Sequence, residues 1–173
     1  LYQAHRDDES TPLEETLGAY AKLIKAGKVR AIGASNYSAA RLSEALAVSA
    51  KHGLPRYESI QPLYNLMERA IEADLLPLCA KEGVGVIPYS SLASGFLSGK
   101  YRGEADLSKS VRGPRSAAKH LTPKGHAVLA ALDKVAAARG VSQAQVALAW
   151  MNAKPGMTAP IASATSAAQF ADL

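Results

Sequence analysis

The sequence holds a single cysteine, Cys79. That excludes a disulfide framework and a cysteine-built zinc site. No apolar run approaches the ~20 residues of a membrane-spanning helix, so no membrane partner is expected. No charged-then-apolar leader marks secretion, and a cytoplasmic location is expected. Neither GxGxxG nor the Gly-Lys-Ser/Thr order of a Walker loop occurs. A nucleotide would therefore have to be held in some other way. Aromatic residues make up only 6%. The chain opens on Leu1, Tyr2 and Gln3 and not on Met, and it reads like the inside of a domain.

What is present is the balance of a folded domain. The 173 residues are 48% hydrophobic and 20% charged, enough to bury a sizeable core. The net charge is +5, and its location matters more than its size. Residues 100–126 carry Lys100, Arg102, Lys109, Arg112, Arg115, Lys119 and Lys124 against Glu104 and Asp106. That segment alone accounts for the excess. It suggests an anionic partner such as phosphate groups, or else a solvated basic loop. Only Tyr101 could stack on a base there, so no nucleic-acid platform is expected.

Strand-like runs begin near Leu1, Val29, Tyr57 and Val84, at spacings of 28, 28 and 27. Each repeat is one strand–helix unit. Leu13, Leu17, Tyr20 and Ile24 mark one helix face, with Thr11 and Glu14 as a capping box around Pro12. Ser38 caps a second helix to about His52, before Gly53 and Pro55. A third is expected over 71–82, kinked or shortened by Pro77. Residues 92–121 read as a long loop. Thr122-Pro123 opens a helix through Leu129, Leu132 and Val135 to Gly140. Ser142 and Gln145 box the start of another, with Val146, Ala149, Trp150 and Ala153 on one face. Met157–Ile161 is expected as a last strand, and Ser166 with Gln169 starts a last helix.

Such alternation implies parallel strands in a doubly wound open sheet or a (β/α)8 TIM barrel. Polar residues recur where strands end: His5, then Ser35 and Asn36, then Gln61, then Tyr89 and Ser90, then Ser163. In a barrel these ends converge on one rim, which favours that architecture. Five strands and 173 residues fall short of the eight strands and ~250 residues of the fold. The expectation is α/β, with residues 1–173 supplying about strands 4 to 8 and an N-terminal half missing.

His5 at a strand end could donate to a carbonyl or shuttle a proton, or be a structural histidine tied to Asp7 and Asp8. His52, His120 and His126 share no common spacing, so no metal site is argued. Ser35 and Asn36 can pair with a carboxamide-like group, although Asn36 also suits a turn. Gln61 is a strand-end amide in need of a partner. Tyr89 could stack on a flat ring. The run from Tyr89 to Lys100 offers hydroxyls, flexible backbone and a lysine, the parts of a phosphate cradle.

Together these residues resemble the aldo-keto reductases, (β/α)8 barrels that reduce carbonyls with NADPH. Leu1 to His5 is similar to the family's fourth strand, whose histidine is catalytic. Gly27 to Asn36 resembles its fifth-strand signature, which implies that Ser35 and Asn36, with Gln61, hold the nicotinamide carboxamide. The resemblance makes Tyr89 the aromatic stacked on the nicotinamide. It places Ser90, Leu92, Ser94, Gly95 and Lys100 over the pyrophosphate, with 92–121 as a cofactor-covering loop. It points Arg112, Ser163, Thr165, Gln169 and Asp172 toward the adenosine-phosphate end. Gln143 to Trp150 is similar to a late helix of the family. Of the family's catalytic Asp, Tyr, Lys and His, only the histidine is present, so this chain alone is expected to be inactive. NADP is the implied cofactor, tilted that way by the basic loop, with NAD the alternative because Ser163 stands where a glycine or lysine is usual. The implied substrate is a small aldehyde or ketone. A cofactor-binding subunit of the potassium-channel beta type and an inert truncated fragment are the competing readings.

Overall fold

Every strand found pairs in parallel, in the order β1-β2-β3-β4. The computed structural model describes residues 1–110 and 113–173. They divide into two compact units, residues 1–62 with 71–87 and residues 63–70 with 88–173.

The first unit is a run of strand–helix repeats: β1 (Tyr2–Ala4), α1 (Leu13–Lys25), β2 (Ile32–Ser35), α2 (Ala39–His52), β3 (Tyr57–Gln61), α3 (Leu75–Glu82) and β4 (Gly85–Val86). All four residues of β2 are buried, as expected of a central parallel strand. The ladder aligns Ala4 with Ala34, Ser35 with Gln61, and Ser59 with Gly85. Tyr2, Tyr20, Tyr57 and Tyr37 form a continuous series of edge-to-face rings with centroids 5.9, 6.3 and 5.5 Å apart. Each such pair contributes roughly 0.5–1.5 kcal/mol beyond burial.

Two expectations for this unit change. Thr11 does not cap α1. Pro12 occupies that position without a side-chain cap, because the Asp8 carboxylate takes the hydroxyls of Ser10 and Thr11 at 2.6 and 3.0 Å. The third helix begins at Leu75, capped by Asp74, with a separate 3-10 turn at Ala70–Glu72. Pro77 therefore falls in its first turn. Backbone N–H groups there have no intrahelical partner, so the missing donor costs nothing. Ser38 caps α2 through the Arg41 N–H at 3.2 Å, as its spacing predicts.

The second unit is helical: α4 (Pro123–Arg139), α5 (Gln143–Asn152) and α6 (Ala167–Ala171). Phe96, Leu97, Tyr101, Leu129, Leu132 and Ala147 form its core. The described residues of 92–121 are not irregular. Where described, they wind through short turns at Ala93–Ser98, Glu104–Lys109, Gly113–Ala117 and Ala118–His120. The Ser142–Gln145 capping box forms in both directions. The buried stripe of α5 is Ala144, Ala147, Leu148 and Met151, not the Val146–Ala153 face. Both stripes satisfy the helical period, and packing selects between them. Val135 is 44% exposed while Ala136 is buried. Residues 157–161 form no strand. Pro160 has no N–H to give a ladder, and the stretch is tied instead at its end, by the Ile161 N–H to the Pro88 carbonyl at 3.0 Å and by Ser91 Oγ to the Ile161 carbonyl at 2.7 Å.

Candidate functional site

In the first unit, three strand ends bring four of the expected residues together. Ser35, buried, donates its hydroxyl to the Gln61 carbonyl at 2.7 Å. Asn36 adopts φ 60, a left-handed conformation that Asn tolerates better than most residues. Its Nδ2 donates to the His5 carbonyl at 2.9 Å and to Ser35 Oγ at 3.1 Å. His5, Ser35, Asn36 and Gln61 are thus one connected cluster. The His5 side chain is exposed. One ladder step back, Gln3 aligns with Gly33 and Gly33 with Ser59. A Cβ on Gly33 would meet Ser59 Oγ at 2.4 Å, so only glycine lets these polar side chains approach. Gln3 Nε2 and Ser59 Oγ are buried without a hydrogen-bond partner among the described residues.

The second unit holds a cavity of about 500 Å³. Eight residues anticipated from the sequence line it: Ser90, Leu92, Ser94, Gly95, Lys100, Ser163, Thr165 and Gln169. Ser90, Ala93, Ser94 and Gly95 all have positive φ, at 58, 49, 58 and 89. The Ala93 and Gly95 N–H groups are spent within this turn, on the Ser90 and Leu92 carbonyls at 2.7 and 2.9 Å, so the polar groups it leaves for a ligand are side chains. A Cβ on Gly95 would lie 3.0 Å from Lys100 Cε and 3.2 Å from Nζ, so the glycine leaves room for the lysine. Lys100 Nζ rests over the Tyr101 ring at 5.0 Å. Ser91 ties the two walls, donating to the Ile161 carbonyl at 2.7 Å. Thr165 donates through N and Oγ1 to Gln169 Oε1, at 2.9 and 3.0 Å.

Tyr89 belongs to this second unit and forms a parallel bridge with Leu63. Asp172 ends α6 and is not among the described residues lining the cavity. Arg112 lies outside the described residues. Three of the basic residues are held in ion pairs: Arg102 with Asp133, Lys109 with Asp106 and Lys119 with Glu68. The basic segment is therefore partly neutralised, and Lys100 is its described cation lining the cavity.

Other residues were not legible as site residues. Asn65, buried, donates to the Ser90 carbonyl at 2.9 Å and accepts from the N–H groups of Met67 and Glu68. It holds the cradle from a segment distant in sequence. Ser110 lines the cavity and bonds the Tyr101 hydroxyl. Ile161 and Ala162 complete the lining. No local signal marks any of these.

Among the described residues, no helix is long and apolar enough to cross a membrane. Residues 1–173 match the profile of the "Aldo/keto reductase family" throughout. The chain is 35% identical over 173 residues to the "Uncharacterized oxidoreductase YrpG" of Bacillus subtilis, covering 99% of this chain and 51% of that protein. It is 32% identical over 176 residues to the "L-glyceraldehyde 3-phosphate reductase" of Escherichia coli K12, covering 98% and 51%. It is 30% identical over 157 residues to the "Versiconal hemiacetal acetate reductase" of Aspergillus parasiticus, covering 90% and 46%. The chain spans about half the length of the curated relatives it matches. The parallel strand–helix repeat agrees with the barrel this family implies, and the chain belongs to the aldo/keto reductases.

Proposed function

We propose that residues 1–173 form about strands 4 to 8 of a (β/α)8 barrel that reduces small aldehydes or ketones to alcohols with NADPH. The observation that carries this reading is the connected strand-end cluster of His5, Ser35, Asn36 and Gln61. Hydrogen bonds from Ser35 and Asn36 to the Gln61 and His5 main-chain carbonyls hold these three strand ends together, which suits carbonyl chemistry next to a carboxamide-bearing ring.

The residues present fit a nicotinamide dinucleotide. The cavity of the second unit offers serine and threonine hydroxyls and Lys100, which is the donor set of a phosphate site. When bound, such a cofactor supplies a hydride. Lys100, Ser90 and Ser94 hold the phosphates in this reading. Thr165, Gln169 and Ser163 take the adenosine end, with Arg112 and Asp172 as further contacts. Ser35, Asn36 and Gln61 grip the carboxamide, and Tyr89 packs on the ring, fixing which face is presented. His5 donates a hydrogen bond to the carbonyl oxygen as negative charge develops there. The family's Asp, Tyr and Lys have no counterparts among residues 1–173, so turnover is assigned to the full-length protein and not to this stretch alone.

Fluorescence titration of the full-length protein with NADPH and NADH tests the reading. NADPH is expected to bind more tightly, and Lys100→Ala to weaken it about tenfold or more, the loss of a charge-assisted phosphate contact. His5→Ala is expected to lower carbonyl reduction far more than NADPH affinity. Absence of binding by either nucleotide would overturn the assignment.

A further inference from the structure

We propose that the ion pair between Asp7 and Arg41 is a positioning device for His5, holding the turn after β1 so that the imidazole keeps one place at the strand end. This rests on the role proposed for His5 above. The last ladder residue of β1 is Ala4, opposite Ala34. His5 follows with an exposed side chain, and Arg6 is exposed as well. The ladder therefore does not fix the backbone at the point where the imidazole departs.

Two ties do so, one from the β2–α2 connection and one from the first turn of α2. Asn36 Nδ2 grips the His5 carbonyl at 2.9 Å. Arg41 Nε grips Asp7 Oδ2 at 2.8 Å. Arg41 is itself well anchored. Its backbone N–H is capped by Ser38 Oγ at 3.2 Å, and its Nη1 reaches Glu44 Oε2 at 2.9 Å. The side chains of Asp7 and Arg41 are only 15% and 19% exposed, so salt screens the pair less than an ordinary surface bridge.

Burial raises the pKa of the Tyr37 hydroxyl; the Tyr57 hydroxyl lowers it, the charge of Asp7 raises it and that of Arg41 lowers it. The Tyr37 and Tyr57 hydroxyls lie 3.3 Å apart. Asp7 is thus gripped from α2, two residues beyond His5. A histidine acts on a carbonyl only within hydrogen-bond reach. A mobile turn would lower the fraction of molecules in which it is there.

The test uses Asp7→Asn, Arg41→Ala and Arg41→Lys in the full-length protein. The readouts are kcat for an aromatic aldehyde at saturating NADPH, NADPH affinity by fluorescence, and the 15N–1H signals of the His5 imidazole, assigned with His5→Gln. Asp7→Asn and Arg41→Ala should each lower kcat about tenfold, within the range that modest misplacement produces. They should leave NADPH affinity within about twofold and shift the His5 signals, and Arg41→Lys should restore most of both. Unmoved His5 signals with unchanged kcat, even at a lowered melting temperature, would make the pair merely structural and overturn the proposal. Should Arg41→Ala fail to fold, the isosteric Asp7→Asn decides alone. A wild-type protein without turnover would overturn the proposed function, whereas the imidazole signals would still decide the positioning role.

Discussion

Arg102 grips Asp133 through both terminal guanidinium nitrogens, at 2.6 and 2.7 Å. Gln143 Nε2 adds a third donor to the same carboxylate at 2.8 Å, while Arg102 Nε holds the Gly99 carbonyl at 2.7 Å. The turn after Ser98 is thereby fixed to α4 and α5. Hydrogen bonds from Arg102, then from Gln143, lower the Asp133 carboxyl to about 2. A carboxyl whose folded pKa is depressed stabilises the fold above its ordinary value of 3.8. That contribution is lost as pH falls from there through about 2. Both side chains are about two-fifths exposed, which limits the pair to about 1 kcal/mol or less. Asp133→Asn should therefore move the melting temperature by only a few degrees, yet increase protease cleavage within residues 99–110 several-fold. Unchanged cleavage would show that the turn is held by something else.

Gly33 makes a second, stricter prediction. An added Cβ would lie 2.4 Å from Ser59 Oγ and 3.0 Å from the Ser59 carbonyl. The hydroxyl can rotate away, whereas the carbonyl belongs to the ladder and cannot. Gly33→Ala should cost roughly 1–3 kcal/mol, the usual range for overpacking. Ser59 Oγ is buried without a partner among the described residues, so Ser59→Ala should be neutral or stabilising. The double variant should recover part of the loss. Urea midpoints for the three variants check this; a double variant no better than Gly33→Ala would place the strain in the backbone contact alone.

Local chemistry was legible, and long-range pairing was not. Ser38, Thr122, Ser142 and Ser166 cap the helices their spacing marks, because a cap is a contact between residues three apart. The serine-rich run and Lys100 were legible for a similar reason: one short segment forms much of one cavity wall. Thr11 failed because Asp8, also nearby, competed for its hydroxyl. The 157–161 strand failed because a strand exists only through partners elsewhere. The contacts that hold the sites, such as Asn65 with Ser90 and Asp7 with Arg41, join residues 25 and 34 apart. No local pattern announces them.

His120 offers a pH-dependent test of the second unit. It is 5% exposed, its ring centroid is 5.4 Å from that of Phe96, and Gly125 leaves room for its backbone, since a Cβ there would strike the His120 carbonyl. Burial lowers its pKa below the ordinary 6.5; Lys119 and Lys124 lower it further, against an opposing pull from Glu68. The fold thus favours the neutral ring. A base with a depressed folded pKa contributes stability that is intact above 6.5. That stability is lost as pH falls through 6.5 and on through the folded pKa, because the unfolded chain takes up the proton first. His120→Phe keeps an aromatic partner for Phe96 and removes the titration. Between pH 7.5 and 5.5 the wild-type urea midpoint should fall more steeply than that of His120→Phe. The other three histidines are the same in both proteins, so the difference between the two slopes belongs to His120. Equal slopes would mean that the ring reaches solvent and carries its proton without penalty.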